Sequence, residues 1–535
     1  MKADCLPFSS IPNTPPLFLD FLHHFDKVRQ FYARPPAFPE WWKDELPHIR
    51  FPQGRRQQIA EILERQNRHF GSGNRTQDNI QRLKNGAPAV VTGQQVALFG
   101  GPTFVVLKAL TAALLAEQAG AVPVLWLATE DHDLAEVNFV HIPAGDHLET
   151  LTTTPPHQAG APVGTIVFND EIATLLKRVE EQFGNSQVME FLKSSYCAGE
   201  SFGSAFGKFY AQIFGDSGIV LLDPSDPDVH QISSPVYGEA LLKSSAINDV
   251  LMTRQQGLEK AGYEAQVNVT PLHTLCFYLD HGARLPIRQN PSNPNDGFVV
   301  GEKQITHDAL VRETGEHPEH FSANVLLRPV IQDYLLPTLC YVGGPSEISY
   351  FAQVEVVYRM LLNRVTPVVP RISATVIEPR TTKLLERYQL AVGDIFRGPE
   401  KLREYIAEKA LPDSIMRSFD AAAEHLEKAI DLIQDPLAKL DPTLKDAAEN
   451  AASKMRYQLQ NLREKAARAE ARKNTELQRH ADELSTLLYP NKTLQEREVG
   501  SAYFLLKYGM GLLQQLREKL QLGCLEHQVI ELEKG

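Results

Sequence analysis

Residues 89–138 decide the fold of this chain of 535 residues, and they read AVVTGQQVALFGGPTFVVLKALTAALLAEQAGAVPVLWLATEDHDLAEVN. The apolar runs 89–91 and 122–128 are typical of strands buried in a parallel sheet. Between them, apolar residues recur at helical spacing from Phe104 to Leu115, with Pro102 near the helix start and Gly120 just past its end. The stretch therefore predicts a β-α-β unit.

A polar turn follows each of these two strands, at residues 92–102 and 129–133. Parallel strands end at the same edge of a sheet, and open α/β sheets bind their ligands at that edge. We therefore expect both turns to contribute to one site. The candidate residues are Thr92, Gln94, Gln95, Gly100, Gly101 and Thr103 from the first turn, and Glu130, Asp131, His132, Asp133 and Asn138 from the second.

The first turn is rich in glycine and opens onto a helix. Gly100 and Gly101 let the backbone approach a ligand, and free N–H groups at a helix N-terminus favour an anion. Gln94 and Gln95 add neutral donors and acceptors. The turn is neither a Walker A loop nor a G-x-G-x-x-G fingerprint. An ordinary glycine-bearing turn of an α/β protein remains the alternative.

The second turn places three carboxylates and an imidazole in residues 130–133. Such a cluster suits acid–base catalysis, a substrate amine or a divalent cation. A charged, solvated helix N-terminus is the alternative. Zinc is not expected, because neither a second histidine at useful spacing nor a cysteine pair accompanies the cluster. We assign no metal ligand.

A third constellation lies between residues 332 and 353. Gly343 and Gly344 precede Pro345 and open a helix on which Glu347, Tyr350 and Gln353 share a face. This repeats the Gly-Gly-Pro layout of the first turn, and two helix N-termini in one cleft would suit two anionic groups, such as a carboxylate and a phosphate. The alternative is that Gly-Pro is simply a good helix opener. Candidates for substrate binding also include Gln332 and Asp333.

Composition restricts the class of protein. The chain is 43% hydrophobic and 22% charged, with a net charge of −12. These values are typical of a globular protein, and the charge disfavours nucleic acid. The five cysteines are scattered without a C-x-x-C pair, a pattern typical of reduced thiols in the cytosol. No segment resembles a leader or a membrane span. We expect a cytoplasmic enzyme of small molecules, without nucleic-acid or membrane partners.

The composition changes after Pro412, where Ala, Leu, Glu, Lys, Gln and Arg predominate. The pairs Asp435-Pro436 and Asp441-Pro442 predict breaks that produce an αα-hairpin. Its second helix, at about 443–488, carries apolar residues at alternating spacings of four and three, which indicate a coiled coil. One short partner helix does not cover this seam along its length. The pattern therefore predicts a homodimer through the helical arm.

These motifs carry a family resemblance. The pattern T-G-Q-Q-x-x-L-F-G-G-P followed by E-D-H-D resembles the BshC family, the cysteine-adding enzymes of bacillithiol biosynthesis. Three further segments match it in order: 327–353 (LRPVIQDYLLPTLCYVGGPSEISYFAQ), 367–380 (PVVPRISATVIEPR) and 488–509 (LYPNKTLQEREVGSAYFLLKYG). The match covers essentially the whole chain. It implies a ligase that adds L-cysteine to glucosaminyl-malate, in the last step of bacillithiol synthesis.

The resemblance also implies an organisation: an α/β, Rossmann-like parallel-sheet core similar to class I synthetases, with connecting insertions and a long C-terminal coiled coil. We expect the core at 1–385, with insertions at about 141–215 and 225–330. The helical arm would follow at 386–500, and 501–535 would pack back on the core. Arg497, Lys507 and Tyr508, in the last matching segment, suit a bound ATP or ADP through stacking and phosphate neutralisation.

Asp131, His132, Gln94, Gln95 and Glu347 are the candidate catalytic residues, and the other residues of the three constellations are candidates for substrate binding. Three functions remain open from the residues alone. The chain is a cysteine-adding ligase, a synthetase- or nucleotidyltransferase-like enzyme for another amine and carboxylate, or a scaffold that retains the fold without chemistry. The scaffold hypothesis does not readily explain why two Gly-Gly-Pro turns and an acidic cluster are predicted at one edge of the sheet.

Overall fold

The computed structural model describes residues 4–291, 297–409, 411–473 and 475–532. The strands in these ranges are β1 (Asp4–Leu6), β2 (Ala89–Gln94), β3 (Val122–Leu127), β4 (Phe139–Ala144), β5 (His147–Thr152), β6 (Val220–Leu222), β7 (His273–Asp280), β8 (Ala283–Gln289), β9 (Gly297–Val300), β10 (Lys303–Thr306), β11 (Phe321–Ala323), β12 (Thr338–Gly343), β13 (Val368–Pro370), β14 (Ser373–Ile377) and β15 (His527–Glu531).

The α-helices up to residue 361 are α1 (Pro16–His23), α2 (Phe25–Val28), α3 (Trp42–Glu45), α4 (Gln53–His69), α5 (Asn74–Lys84), α6 (Thr103–Ala119), α7 (Glu171–Phe183), α8 (Gln187–Ser195), α9 (Phe202–Ile213), α10 (Pro227–Leu242), α11 (Ser244–Lys260), α12 (His307–Glu316), α13 (Arg328–Leu335) and α14 (Pro345–Leu361). Those that follow are α15 (Pro379–Arg387), α16 (Val392–Ile395), α17 (Pro399–Lys409), α18 (Asp413–Leu440), α19 (Thr443–Lys473), α20 (Thr475–Leu488), α21 (Gln495–Glu498), α22 (Ser501–Tyr508) and α23 (Gly511–Lys519).

A parallel sheet forms the centre of the core, with strand order β13-β12-β2-β3-β6. In its register Gln94 pairs with Leu127, Trp126 with Leu222, and Gly343 with Pro370. Every residue of β3 and β12 is buried, because helices cover both faces of such a sheet. The predicted Rossmann-like fold class is confirmed. All five strands end at the same edge, which is where the polar turns begin.

Helix α6 connects β2 to β3, as the apolar spacing predicts. It is buried on almost all sides and ends at Gly120, whose φ of 65° provides a left-handed C-cap. A second sheet, antiparallel in the order β10-β9-β8-β7-β11, comes from residues 273–323. A third sheet joins β1, β15 and β14, so the two ends of the described chain meet. Strands β4 and β5 form a separate hairpin.

The helical arm is an antiparallel hairpin of α18 and α19. The predicted break at Asp435-Pro436 is wrong, because α18 continues through Pro436 to Leu440. A proline removes one backbone hydrogen bond, and one turn from the helix end that loss is tolerated. The predicted break at Asp441-Pro442 is confirmed, since α19 begins at Thr443. Buried Ala448 and Ala452 lie on α19.

Two of the five cysteines are not free thiols. Cys5 and Cys524 form a disulfide between β1 and the segment before β15. The expectation of reduced thiols throughout is therefore wrong for this pair, which sequence spacing did not reveal because 519 positions separate its members. Cys276 and Cys340 are free and buried, and Cys197 is free and exposed. In the described ranges, no helix combines the length and apolar character that a bilayer crossing requires.

Candidate active site

A cavity of about 590 Å³ lies at the carboxyl edge of the parallel sheet. Residues from the turns after β2, β3, β12 and β13 line one side, and residues of β7, β8 and the start of α13 line the other. Its volume lies within the usual range for small-molecule sites. The predicted site residues that line it are Gln94, Gln95, Glu130, Asp131, Gly344, Glu347, Tyr350 and Arg497.

A buried ion pair crosses the floor of the cavity. Lys108 Nζ on α6 lies 2.6 Å from Glu347 Oε2 on α14. Lys108 Nζ also donates to Gly93 O at 2.7 Å. Glu347 accepts two further hydrogen bonds, from Tyr341 Oη to Oε1 at 2.5 Å and from Gly344 N to Oε2 at 2.7 Å. The N-terminus of α14 therefore already holds an anion, which is its own glutamate.

The pKa values of this pair follow from its contacts. Burial would raise the pKa of Glu347, but Lys108, the Gly344 N–H and Tyr341 together hold it below its ordinary value. Burial lowers the pKa of Lys108, and Glu347 opposes that change. Each partner thus stabilises the charged form of the other.

Arg328 at the start of α13 is a second buried cation on the cavity wall. Its guanidinium donates to Gln332 Oε1 at 3.0 Å and to Tyr350 Oη at 3.2 Å, and lies 5.0 Å from the centre of the Tyr341 ring. Gly93 permits this approach, because a Cβ there would meet the Arg328 guanidinium at 3.3 Å. Arg328 forms no ion pair with any carboxylate in the described ranges.

Arg371 and Arg497 complete the cationic part of the cavity. Arg371 Nη2 pairs with Glu496 Oε1 at 2.6 Å, and both side chains are almost fully buried. Glu496 also accepts from Ser373 Oγ and from Ala374 N. Within the part of the chain that the structure describes, Arg497 has no carboxylate at ion-pair distance, so its charge remains available to a ligand.

The opposite end of the cavity is acidic. Gln95 Nε2 donates to Asp131 Oδ2 at 2.6 Å and to Glu136 Oε2 at 2.7 Å. Asp131 Oδ1 accepts from the backbone of His132 at 2.7 Å. His132 lies beside the cavity lining, with Nδ1 3.2 Å from Arg284 Nη1. Gln95 thus holds the acidic turn in place, and β8 supplies its nearest cation.

Glu130 is the most enclosed carboxylate of that turn, with 14% of its side chain exposed. Its Oε1 atom is buried, has no hydrogen-bond partner among the described residues, and lies 3.4 Å from His230 Nε2 on α10. Burial raises the pKa of Glu130 to about 8, against the opposing charge of Arg284. Burial also raises the pKa of Asp223, which accepts a hydrogen bond from Thr129 Oγ1.

The Gly100-Gly101 turn does not reach the cavity. Gly100 N donates to Tyr196 Oη at 2.8 Å, and Gly100 O accepts from Tyr210 Oη at 2.9 Å. Thr103, at the first position of α6, donates through both N and Oγ1 to Val499 O at 2.8 Å. The N–H donors that the sequence assigns to an anion are therefore used within the protein: Gly100 N by Tyr196, Gly101 N by Leu98 O and Thr103 N by Val499 O.

Several other predicted residues also lie behind the lining. Thr92 Oγ1 donates to Val342 O at 2.8 Å and ties β2 to β12. Asn138 Nδ2 donates to Thr153 O, and Gln332 Nε2 donates to Asp333 Oδ1. Gln353 exchanges two hydrogen bonds with the backbone of Val267, which lines the cavity. Gly343 and Asp133 also lie outside the cavity lining. Gly343 packs against Glu347, and Asp133 is exposed.

The three residues predicted to bind a nucleotide do not form one site. Arg497 lines the main cavity and a smaller neighbouring cavity of about 280 Å³. Lys507 Nζ instead pairs with Glu378 Oε1 at 2.6 Å, and Tyr508 Oη donates to the same atom at 2.8 Å. Because Glu378 already neutralises Lys507, the trio does not fit a phosphate-binding site.

One cluster in the described ranges has histidine and carboxylate atoms close enough to hold a metal ion: His317, Glu319 and His320. It lies on the connection from α12 to β11, outside the cavity lining. Its side chains are at least one-third exposed; His317 contacts Glu319, and His320 contacts Glu313 and Tyr278. Of the carboxylates that line the cavity, Asp131 is engaged by Gln95 and Glu347 by Lys108.

Sequence reasoning missed four cations of the site: Lys108, Arg284, Arg328 and Arg371. Lys108 lies within an apolar helix, where a buried charge is costly unless it is paired. Its position in the sequence therefore indicated a buried ion pair. Arg328 and Arg371 lie within the segments that match the family. Arg284 has no such signal, because the antiparallel sheet brings it to the edge from a distant part of the chain.

Comparison with known proteins identifies the family. Residues 1–372 match the family described as "Bacillithiol biosynthesis BshC, N-terminal Rossmann-like domain", and residues 374–532 match "Bacillithiol biosynthesis BshC, C-terminal coiled-coil domain". The chain belongs to the BshC family. The predicted family is therefore confirmed, as is the predicted long C-terminal coiled coil.

Individual relatives agree over their full length. A protein of Koribacter versatilis named "Putative cysteine ligase BshC" is 43% identical, and the match covers 99% of this chain and 100% of the relative. Relatives with the same name from Solibacter usitatus and Salinibacter ruber are 33% and 31% identical, over 99% and 98% of this chain and 100% and 97% of their own lengths. The predicted enzyme class, a ligase, is confirmed at this level.

Proposed function

We propose that this BshC-family ligase joins the carboxyl group of L-cysteine to the amine of glucosaminyl-malate, in the last step of bacillithiol synthesis. The observation that carries the proposal is that cations and carboxylates line the same cavity. Arg328 and Arg497 supply cationic groups without carboxylate partners in the described ranges, whereas Glu130 and Asp131 lie beside Arg284. The substrates carry both carboxylate and amine groups.

The cationic end suits a carboxylate-bearing substrate. Arginine binds carboxylates through paired hydrogen bonds, and burial strengthens such bonds. Arg328 is held rigidly by Gln332 and Tyr350, so its guanidinium is already oriented. Lys108 and Arg371 are compensated by Glu347 and Glu496, and we assign them to shaping the wall. We propose that malate binds at Arg328 and Arg497.

The acidic end suits the amine. We propose that Asp131, held by Gln95, faces the ammonium group of the acceptor, and that Gln94 and His132 orient the reacting groups beside it. We propose that Glu347 has a positioning role: it holds Lys108 and the Gly344 N–H in place at the floor of the cavity. Lys507 and Tyr508 have no part in this proposal, because Glu378 engages both.

The decisive experiment is product formation by the purified protein. Incubation with L-cysteine, glucosaminyl-malate and ATP should yield a new thiol of the expected mass. Arg328→Met should lose most of this activity, since an arginine–carboxylate contact contributes about 1.5–3 kcal/mol, or roughly 10- to 150-fold. Arg288→Met is the matched control, because Arg288 is exposed on β8. Absence of product with the wild-type protein would overturn the proposal.

We further propose that the protein acts as a cytoplasmic homodimer through the arm. Leu432, Leu440, Met455 and Leu462 are about half to three-quarters exposed, although all lie on the α18–α19 hairpin. Covering such side chains stabilises association by about 25 cal/mol per Å². Light scattering should report a dimer for the wild type and a folded monomer for a Leu432→Glu and Leu462→Glu double variant. A wild-type monomer at micromolar concentration would contradict this proposal.

A further inference from the structure

The acidic end of the cavity contains two carboxylates with different surroundings. Asp131 is one-third exposed and accepts hydrogen bonds from Gln95 and from the His132 backbone. Glu130 is mostly enclosed and, at Oε1, has no donor among the described residues. Asp131 is therefore suited to remain an anion, whereas Glu130 is suited to exchange a proton.

We propose that Glu130 is the group that takes the proton from the ammonium of the amine substrate. This assignment rests on the proposed ligase function and deepens it. The step is one proton transfer: an N–H bond of the ammonium breaks, an O–H bond forms on the carboxylate, and the nitrogen keeps the electron pair as the lone pair of a nucleophilic amine. The proton is accepted by the Glu130 carboxylate, of which Oε1 lies enclosed beside His230.

The position of Glu130 supports this role. It lies in the turn after β3, three residues beyond Leu127, and lines the cavity. Arg284, which also lines the cavity, places a cation near it without forming an ion pair in the described part of the chain. A carboxylate that is neither saturated by donors nor fixed by a salt bridge retains the capacity to gain and lose a proton.

Surrounding groups set the pH at which this transfer occurs. The titratable and charged groups near Glu130 are Asp131 in the same turn, Asp223 at the end of β6, His230 and Tyr237 on α10, and Arg284 on β8. Burial lowers the pKa of His230 to about 4, so this imidazole is neutral at pH 7. The pKa of Glu130, at about 8, is close to that of an amine, and general-base catalysis is most effective near such a match.

Glu130→Gln tests the proposal most directly. It should lower kcat by about 10²- to 10⁴-fold while calorimetry shows the amine substrate still bound. Glu239→Gln is the control, because Glu239 is a half-exposed carboxylate on α10 paired with Lys243. Undiminished turnover in Glu130→Gln, alongside wild-type product formation, would overturn this inference and leave the ligase function intact. Absence of wild-type product would overturn the ligase function instead.

A second variant keeps the proposal testable if Glu130→Gln fails to fold. Asp223→Asn retains an oxygen for Thr129 and Ser225 but removes the negative charge that raises the pKa of Glu130. The acidic limb of the kcat/KM profile, expected near pH 8 in the wild type, should then move to lower pH. An infrared titration of the carboxylic acid C=O band should show the same displacement without turnover. An unmoved limb and band would contradict the assignment.

Discussion

Two turns of this protein share the sequence Gly-Gly-Pro and the position between a parallel strand and a helix, yet they serve different purposes. Gly100 and Gly101 are enclosed by Tyr196, Tyr210 and residues 499–501. Gly344 instead opens onto the cavity, with its N–H bound to Glu347. A helix N-terminus is a binding site only where the rest of the fold leaves it uncovered.

Glu347→Gln should have the largest effect, because it removes the carboxylate that binds both Lys108 and the Gly344 N–H. Removing one partner of a buried ion pair typically costs 3–5 kcal/mol, since the other charge, here Lys108, remains buried and unpaired. Urea denaturation should show a loss of about 3 kcal/mol, together with loss of product. A variant of wild-type stability would show that Lys108 is compensated by other groups.

Gly100→Ala tests the covered turn. Gly100 has a φ of 82°, and a Cβ there would lie 2.7 Å from Phe209 Cε1. A strained backbone and an overpacked core should together cost about 2–4 kcal/mol. The variant should have a lower Tm, whereas any folded fraction should retain its KM. A raised KM at unchanged Tm would place this turn at the substrate.

Gly344→Ala provides the matched substitution in the open turn. Gly344 has a φ of −83°, so alanine is unstrained, and its Cβ would lie 3.3 Å from Arg371 Nε. Stability should change by less than about 1 kcal/mol, while displacement of Arg371 should lower kcat/KM by about 10- to 100-fold. If Gly100→Ala and Gly344→Ala gave the same pattern, the distinction between the turns would be wrong.

The pH dependence of stability should show the smallest effect. The pKa of Glu347 lies below its ordinary value of 4.5 in the folded state. The ion pair therefore contributes stability that is fully present above that value and is lost as the pH falls through the folded pKa. The difference in unfolding free energy between the wild type and Glu347→Gln should shrink below about pH 4.5. A difference that does not depend on pH would exclude the ion pair as its source.

Much of the site could be predicted from the sequence, because its polar residues come soon after apolar strands. Gln94, Gln95, Glu130 and Asp131 line the cavity for this reason. Glu347 and Tyr350 were found through helical spacing, which places them on one face of α14. Thr92 and Gln332 were assigned to substrate, but they hold the backbone and Arg328 in place. The roles of the individual site residues, and the boundaries of the domains, remain predictions.

Local spacing of apolar residues was enough to predict the β-α-β unit, its parallel sheet and the helical arm, since such patterns depend on neighbours only a few positions apart. The choice between the two Gly-Gly-Pro turns was not accessible in that way. It depends on Val499, which meets Thr103 across 396 positions, and on Tyr210, which meets Gly100 across 110. The free N–H groups of a helix N-terminus are satisfied when another segment packs against them, and otherwise they remain open to a ligand. Only the tertiary structure decides which segments pack there.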